Sequence, residues 1–135
     1  MRLGLIALLL LGLTAGCGSH QSGQPGLDGT TWKLTSWAEP EPIPASVTIT
    51  AEFAEGRVTG NSGVNRYNGS VDSSTDGSFA IDHPVSTMMA GPEDAMKAET
   101  TYLTRLQAAT SYAIDGDTLV LNDAKGQPSL TFTRT

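Results

Sequence analysis

The fold is decided by a stretch near the middle of the chain, residues 47–61, which reads VTITAEFAEGRVTGN. Its first half alternates apolar and polar side chains, the period of two that is typical of a half-buried β-strand. Glu55-Gly56 then interrupts the alternation, and a short run around Val58 resumes it. We therefore predict a strand, a tight turn and a second strand, with one face toward a core. The residues expected to face inward in the first strand are Val47, Ile49, Ala51 and Phe53.

Similar short strands are predicted on both sides of this hairpin. Prolines at positions 40, 42 and 44 place a loop before it, because proline cannot sit inside a central strand. Asn68-Gly69 is predicted to be a hairpin turn, since both central positions of the favoured turn need positive φ. The other predicted strands cover residues 31–37, 79–81, 112–114, 118–122 and 129–134.

One helix is predicted, from just after Pro92 to about Ala109. Pro92 suits a first turn, where one N–H has no partner in any case, and the acidic residues that follow complement the helix dipole. The buried stripe includes Glu99, so its carboxylate should accept hydrogen bonds or stay at the rim of the core. The predicted stripe consists of Met96, Glu99, Leu103, Leu106 and Ala109 or Thr110, with Tyr102 beside it.

The predicted fold class is therefore mainly β. Its expected form is a curved, barrel-like antiparallel β-meander of about eight strands, with one inserted α-helix packed on the sheet.

The N-terminal residues have the pattern of a lipoprotein signal peptide. Arg2 precedes an apolar run at 3–13, which as a helix would reach only about 16 Å and cannot span a hydrocarbon core of ~30 Å. The run ends in LTAGC, which resembles the bacterial lipobox, where lipid is attached to the cysteine. An ordinary secretory signal with a stray cysteine is the alternative. The predicted organisation is a signal peptide at 1–16, lipid on Cys17, a flexible tether at 17–26 and a folded domain at 27–135.

Charge and composition exclude several classes of function. The chain has 135 residues, with 14 acidic and 8 basic side chains and a formal net charge of −6. No nucleic-acid partner is expected, because phosphate binding needs clustered Lys and Arg. The single cysteine rules out an intrachain disulfide and a multi-cysteine zinc site, and with two histidines no metal centre is predicted. No cofactor is predicted, and the domain is expected to be a monomer.

The domain lacks a motif that predicts catalysis. Residues 60–64, GNSGV, depart from the nucleophile-elbow pattern at the last position, and His83 is the domain's single histidine. Residues 86–89, STMM, lack the lysine of a Ser-x-x-Lys site. Residues 115–119, DGDTL, begin like a calcium loop but have leucine where an oxygen ligand is needed. We therefore predict that the protein is not an enzyme.

Several segments, taken in order, carry a resemblance to a known family. They are LDGTTWKL at 27–34, GRVTGNSGVNRYNG at 56–69, STMMA at 86–90 and GDTLVL at 116–121, together with Glu99 and Tyr102-Leu103. In this combination the chain resembles the META domain family, also described as HslJ-like after a heat-shock protein. The resemblance covers nearly all of 27–135. It implies an all-β sheet with one inserted helix, often in an envelope lipoprotein, and a molecular function that is largely undefined.

The resemblance also implies a missing cross-link. Members of the family often carry two cysteines positioned to bond two loops, and the matching positions here are Val64 and Gly91. Any role that rests on that thiol pair therefore does not transfer. In a simple loop-entropy account, the absence of the bond costs about 2–4 kcal/mol.

Six residues are candidates for structure or recognition: Asn65, Arg66, Tyr67, Thr87, Met89 and Glu99. Asn65 can bond the backbone of a neighbouring loop, and Arg66 can offer its guanidinium to a carboxylate such as Glu99. Tyr67, Thr87 and Met89 can pack the sheet edge against the start of the helix. In the functional interpretation, these residues belong to a recognition surface or to an apolar groove between sheet and helix, lined by Met88, Met89 and Met96.

Two functions remain open at this point. The first is a non-catalytic lipoprotein, anchored by its lipid on the extracytoplasmic side of a bacterial membrane, that binds a protein partner or supports the envelope under stress. The second is a carrier or chaperone that holds a lipid tail or hydrophobic peptide between sheet and helix. A solvent-connected apolar cavity of about 300 Å³ or more favours the carrier, and a filled core favours the first function.

Overall fold

The computed structural model describes residue 23 and residues 25–135. The predicted signal peptide, Cys17 and most of the predicted tether lie outside the described residues. Within the described part of the chain, nine strands and one helix form a single domain. Their bounds are β1 Thr30–Trp37, β2 Thr50–Ala54, β3 Arg57–Asn61, β4 Arg66–Ser73, β5 Phe79–Ile81, β6 Val85–Ser86, α1 Glu93–Ala108, β7 Ser111–Asp115, β8 Thr118–Asn122 and β9 Pro128–Arg134.

The strands form an antiparallel sheet that curls into a nearly closed barrel. Its order is β5-β4-β3-β2-β1-β9-β8-β7, and the short strand β6 pairs with β4. The two ends of this order meet, because the Phe79 N–H donates to the Thr110 carbonyl at 3.0 Å and the Tyr112 N–H donates to the Gly77 carbonyl at 2.8 Å. The predicted barrel-like meander with one inserted helix is confirmed.

The hairpin within residues 47–61 forms as predicted. All four residues expected to face inward are buried, and Phe53 pairs with Val58 across the two strands. Glu55 and Gly56 have φ angles of 54° and 70°. Positive φ at both central positions is the mark of a tight turn whose twist matches that of the flanking strands. The first strand begins later than expected, at Thr50.

The predicted hairpin turn at Asn68-Gly69 is wrong. Strand β4 continues through both residues, with Asn68 opposite Thr59. Gly69 is present for space and not for positive φ, because a Cβ at this position would lie 3.1 Å from Cδ1 of Ile81. The turn between β3 and β4 lies at residues 62–65, where the Ser62 N–H donates to the Asn65 carbonyl at 2.8 Å.

Helix α1 begins and ends where predicted, between Pro92 and Ala109. Its buried stripe differs from the prediction, because Met96 is exposed and Tyr102 is fully buried. The small side chains of the buried face allow the helix backbone to approach the sheet closely, and the stripe centres on Tyr102 instead of passing beside it. The buried helix residues are Ala95, Ala98, Glu99, Tyr102 and Leu106.

Side chains fill the space between the helix and the sheet. The Tyr102 ring meets Tyr67 and Phe132 edge to face, with centroid distances of 5.5 and 6.3 Å. Trp32 and Leu106 are buried in the same core.

No described helix has both the length and the apolar character needed to cross a bilayer.

Candidate functional site

The Glu99 carboxylate lies where the β3–β4 turn meets helix α1. It is 7% exposed, and the turn surrounds it with donors. Its Oε2 accepts hydrogen bonds from the Ser62 hydroxyl at 2.8 Å, the Val64 N–H at 2.9 Å and the Asn65 N–H at 2.7 Å. Its Oε1 accepts one from the Asn65 side-chain amide at 2.7 Å. The expectation that Glu99 accepts hydrogen bonds is confirmed.

These hydrogen bonds determine the charge state of Glu99. Burial raises the pKa of the carboxyl, while the bonds from Asn65, Val64 and Ser62 lower it, and the net pKa lies below its ordinary value. Hydrogen bonds donated to a carboxylate favour its ionised form. Glu99 is therefore an ionised acceptor at neutral pH, and its charge is compensated by local dipoles.

The Asn65 side chain connects Glu99 to the segment that precedes the helix. Its Oδ1 accepts from the Thr87 hydroxyl at 2.9 Å and from the Met89 N–H at 2.7 Å. Its Nδ2 donates to the Met89 carbonyl at 3.1 Å as well as to Glu99. All four hydrogen-bonding positions of the amide are thus occupied. We call the set Ser62, Asn65, Thr87, Met89 and Glu99 the Asn65 cluster.

The prediction that Arg66 offers its guanidinium to Glu99 is wrong. Arg66 points out of the barrel, because alternate residues of β4 face opposite sides and its neighbour Tyr67 faces inward. The backbone of Arg66 does bind the same segment, since its carbonyl accepts from the Thr87 N–H at 3.0 Å.

Tyr67 forms a second buried polar contact between sheet and helix. Its hydroxyl donates to the Thr50 carbonyl at 2.9 Å and lies 2.6 Å from the Tyr102 hydroxyl. Since the carbonyl can only accept, Tyr102 is the donor in the tyrosine pair. Burial raises the pKa of both phenols well above the ordinary value, so both are neutral. Tyr67 thus joins β4 to the middle of the helix and not to its start.

The methionines do not line a groove between sheet and helix. Met88 is 95% exposed and Met89 is 67% exposed, and Val85 and Met96 are also exposed. We call residues 85–90 the methionine segment. Asn65 bonds both the N–H and the carbonyl of Met89, so the backbone of this segment is fixed while its apolar side chains face solvent.

Ser62 was not predicted to belong to the site. It lies in the GNSGV stretch, where the nucleophile-elbow pattern fails, and it is fully buried. Its hydroxyl contacts the Asn65 carbonyl and Glu99, so it supports the turn. One sequence signal could have pointed to Ser62: the carboxylate of Glu99 in an apolar stripe needs hydrogen-bond donors, and Ser62 can provide one.

Val64 and Gly91, the two positions that the resemblance matches to a cysteine pair, lie side by side. A Cβ placed on Gly91 would lie 3.4 Å from the Val64 Cβ and 2.8 Å from its Cγ2. The valine methyls therefore occupy the space that a side chain at 91 would need. Contact between the two loops is retained without the sulfur bond.

A separate cleft of about 290 Å³ lies between the proline loop and helix α1. Two ion pairs join the proline loop to the helix here: Lys97 Nζ to Glu41 at 2.8 Å, and Arg105 to Glu39 at 2.5 Å. Its apolar lining comes from Trp37, Pro40, Pro42, Pro44 and Ala98. This cleft is distinct from the predicted methionine groove.

The described residues contain no group of three or more His, Cys, Asp or Glu side chains arranged to hold a metal ion. His83 is paired with its neighbour Asp82 at 3.0 Å on the exposed surface.

Comparisons with known proteins agree with this architecture. A family model described as the META domain matches residues 25–135. A protein from Burkholderia xenovorans, solved by NMR, is 24% identical with a TM-score of 0.67, covering 81% of this chain and 83% of that one. A DUF4847 family protein from Bacteroides vulgatus, solved by crystallography, is 15% identical with a TM-score of 0.60, covering 79% of this chain and 93% of that one. Likenesses at this identity show the fold alone. No curated protein matches the sequence.

Proposed function

The chain belongs to the META domain family, and from that premise we propose that it is a non-catalytic lipoprotein of the bacterial envelope that binds a protein partner through the methionine segment. The Asn65 cluster supports this proposal. It uses the buried carboxylate of the helix to fix the backbone of a segment whose side chains face outward. A fixed backbone carrying exposed apolar side chains suits a contact surface, since exposed apolar groups in contiguous patches mark interaction sites.

The chemistry of the methionines supports the same role. The thioether side chain is flexible and polarizable, so it adapts to the shape of a partner. Met88 and Met89 are adjacent in sequence and both are exposed. Covering their side chains with a partner removes apolar surface from water, which favours binding by about 25 cal/mol per Å².

The absence of catalysis is part of the proposal. Glu99 would have to exchange protons to act as a general acid or base, but its pKa is lowered and its two oxygens are occupied by donors. Ser62 is buried, and its hydroxyl is shared between two acceptors. A group held in this way stabilises a loop and is poorly placed to attack a substrate.

The carrier alternative has one supporting observation, the cleft beside Trp37. Its volume of about 290 Å³ and its proline and tryptophan walls suit an apolar ligand such as a lipid tail or hydrophobic peptide. The space between sheet and helix, where the ligand was first expected, is filled by side chains. A carrier would therefore have to use the outer cleft.

The proposed location follows from the N-terminal sequence. Cleavage before Cys17 and acylation of its thiol would anchor the domain to the extracytoplasmic side of a membrane, with palmitate among the expected acyl chains. One acyl chain holds a protein only marginally, so more than one is expected. A role under envelope stress, no nucleic-acid partner and a monomeric state belong to the same proposal.

In-cell photo-crosslinking tests the partner surface. A photoreactive amino acid is placed at position 88 and, as a control, at position 124, which is exposed in the β8–β9 turn. We expect one discrete protein adduct from position 88 and none from position 124. Adducts of the same pattern from both positions would argue against a specific surface.

In a parallel experiment, Cys17→Ala should abolish metabolic labelling with palmitate; labelling that persists would refute the anchor.

A further inference from the structure

The Lys and Arg side chains of the domain differ in whether they have a carboxylate partner. Three of them form ion pairs with carboxylates: Lys97 with Glu41, Arg105 with Glu39 and Arg134 with Asp117. Within residues 25–135, the ion pairs do not include Arg57 or Arg66, and both lie on the outer face of the β3–β4 hairpin. In an acidic protein, two arginines without a carboxylate partner on one face are a feature to explain.

Arg57 is held in position by the neighbouring strand. Its Nη2 donates to Asn68 Oδ1 at 2.5 Å, and its Nη1 donates to Ser70 Oγ at 3.3 Å. These contacts use two of the five N–H donors of the guanidinium, so three are left for another acceptor. Both partners are neutral, and among the described residues Arg57 forms no ion pair with a carboxylate.

Arg66 lies close to Asn68, the residue that the Arg57 guanidinium contacts. Asn68 is two residues along β4 from Arg66 on the same face, a separation of about 7 Å between Cα atoms. The guanidinium of Arg57 is thus brought toward Arg66, although their strand positions are four residues apart. Within the part of the chain that the structure describes, no hydrogen bond engages the Arg66 guanidinium.

A groove of about 420 Å³ lies between the two arginines. Hydroxyl and amide groups line its walls, together with the apolar side chain of Val85 at the β6 edge. The lining residues are Arg57, Thr59, Arg66, Tyr67, Asn68, Val85, Ser86 and Thr87. The groove combines two cations with neutral hydrogen-bonding groups and has room for a small polar molecule.

We propose that this groove binds the phosphate of a small phosphomonoester, with Arg57 and Arg66 on the anion and the hydroxyls of Thr59 and Ser86 on the rest of the ligand. A phosphomonoester carries a charge of about −1.5 to −2 near neutral pH, which two arginines balance. Guanidinium groups bind phosphate oxygens with paired N–H donors. This site is separate from the methionine segment and does not depend on its role.

The surroundings favour a discrete ligand over a phospholipid surface. Glu52 is exposed on β2 and pairs with Thr59, at the edge of the groove. Asp28, Glu55 and Asp72 are exposed on nearby segments of the same side of the barrel. Together these carboxylates would repel an extended anionic surface. A single phosphate between the arginines would meet two positive charges and one neighbouring carboxylate, Glu52.

Phosphorus NMR of a defined probe tests the site. The full chain, purified in a neutral detergent, is titrated against glycerol 3-phosphate, with phosphatidic acid in the same detergent as a second arm. We expect saturable binding of glycerol 3-phosphate that weakens with added salt. Binding of phosphatidic acid alone, or of neither probe, would overturn the proposal.

Substitutions locate the binding. Arg57→Gln and Arg66→Gln should each weaken binding about tenfold, since each removes a charge-assisted contact. Glu52→Gln should tighten it by about twofold, because it removes a nearby negative charge. Lys125→Gln removes an exposed cation in the β8–β9 turn and should leave the affinity unchanged. Melting temperatures close to that of the wild type confirm that the variants fold, and equal losses in all three cation variants would mean that only net charge matters.

Discussion

Asn65 binds both oxygens of Glu99, its backbone N–H donating to Oε2 and its side-chain amide donating to Oε1, each at 2.7 Å. The two residues are 34 positions apart in sequence. Through the other side of the same amide, Asn65 holds the backbone of Met89. The relationship therefore links the helix, the β3–β4 turn and the methionine segment in one hydrogen-bonded unit.

Glu99→Gln should destabilise the domain by about 1–3 kcal/mol. Glutamine keeps one oxygen for the three donors at Oε2 but places an NH₂ group against the Asn65 amide, which is itself a donor there. Asn65 cannot turn over without losing its bonds to Thr87 and Met89. Urea unfolding measures the change. Glu93→Gln, in the exposed first turn of the same helix, is the matched control and should change stability by less than about 0.5 kcal/mol. Equal effects of the two variants would contradict the account.

The lowered pKa of Glu99 predicts a pH dependence. Because the folded-state pKa lies below the ordinary value of 4.5, the stabilisation is fully present above that value. It is lost as the pH falls through the folded-state pKa. Melting temperatures measured from pH 7 down to pH 3 should fall less steeply in Glu99→Gln than in the wild type. Other carboxyls with lowered pKa values, such as Asp76, contribute equally to both curves. Parallel curves would show that Glu99 is not the group concerned.

The tyrosine pair predicts an asymmetry between two conservative substitutions. Tyr67→Phe removes the donor to the part-buried Thr50 carbonyl and the acceptor of the buried Tyr102 hydroxyl, leaving both groups without that partner. Tyr102→Phe removes one donor and leaves the bond to Thr50 intact. We expect a loss of about 2–3 kcal/mol for Tyr67→Phe and about 1 kcal/mol for Tyr102→Phe. Thermal unfolding compares them, and the reverse order would show that the assigned donor directions are wrong.

A disulfide should form between Val64→Cys and Gly91→Cys in one chain. The projected Cβ–Cβ distance of 3.4 Å is close to the range of disulfides, about 3.5–4.5 Å. Closing this loop should stabilise the domain by about 3–4 kcal/mol. The test is the melting temperature of the oxidised double variant compared with that of its reduced form and of the two single variants. Failure to oxidise in air would mean that the loops are further apart in solution.

The sequence was informative where the signal is local. Alternation at residues 47–53 and the Glu55-Gly56 dipeptide gave the central hairpin, and Pro92 marked the helix start. The dipeptide Asn68-Gly69 misled, because a glycine that provides space for Ile81 looks the same in sequence as one that provides positive φ. The prediction for Met96 was wrong because an apolar side chain was expected to be buried, whereas the smaller neighbour Ala95 faces the sheet and Met96 is exposed.

The site was predictable only in part. Glu99 and Asn65 could be singled out, since a carboxylate in an apolar stripe needs donors and an asparagine in a loop can provide them. Their pairing could not be derived, because two of the donors to Glu99 are the backbone N–H groups of Val64 and Asn65. Every residue except proline has a backbone N–H group, so the residue types at 64 and 65 do not indicate that these groups bind Glu99.

Protection of the methionines from oxidation tests the central claim most directly. Whole cells and the detergent-purified full chain are treated with dilute hydrogen peroxide, and the sulfoxide at each methionine is quantified by mass spectrometry. A partner seated on the methionine segment should slow oxidation of Met88 and Met89 in cells several-fold relative to Met96, which lies on the helix and serves as the internal reference. The same relative rates in cells and in the purified protein would contradict the account, because an unprotected segment is not a contact surface.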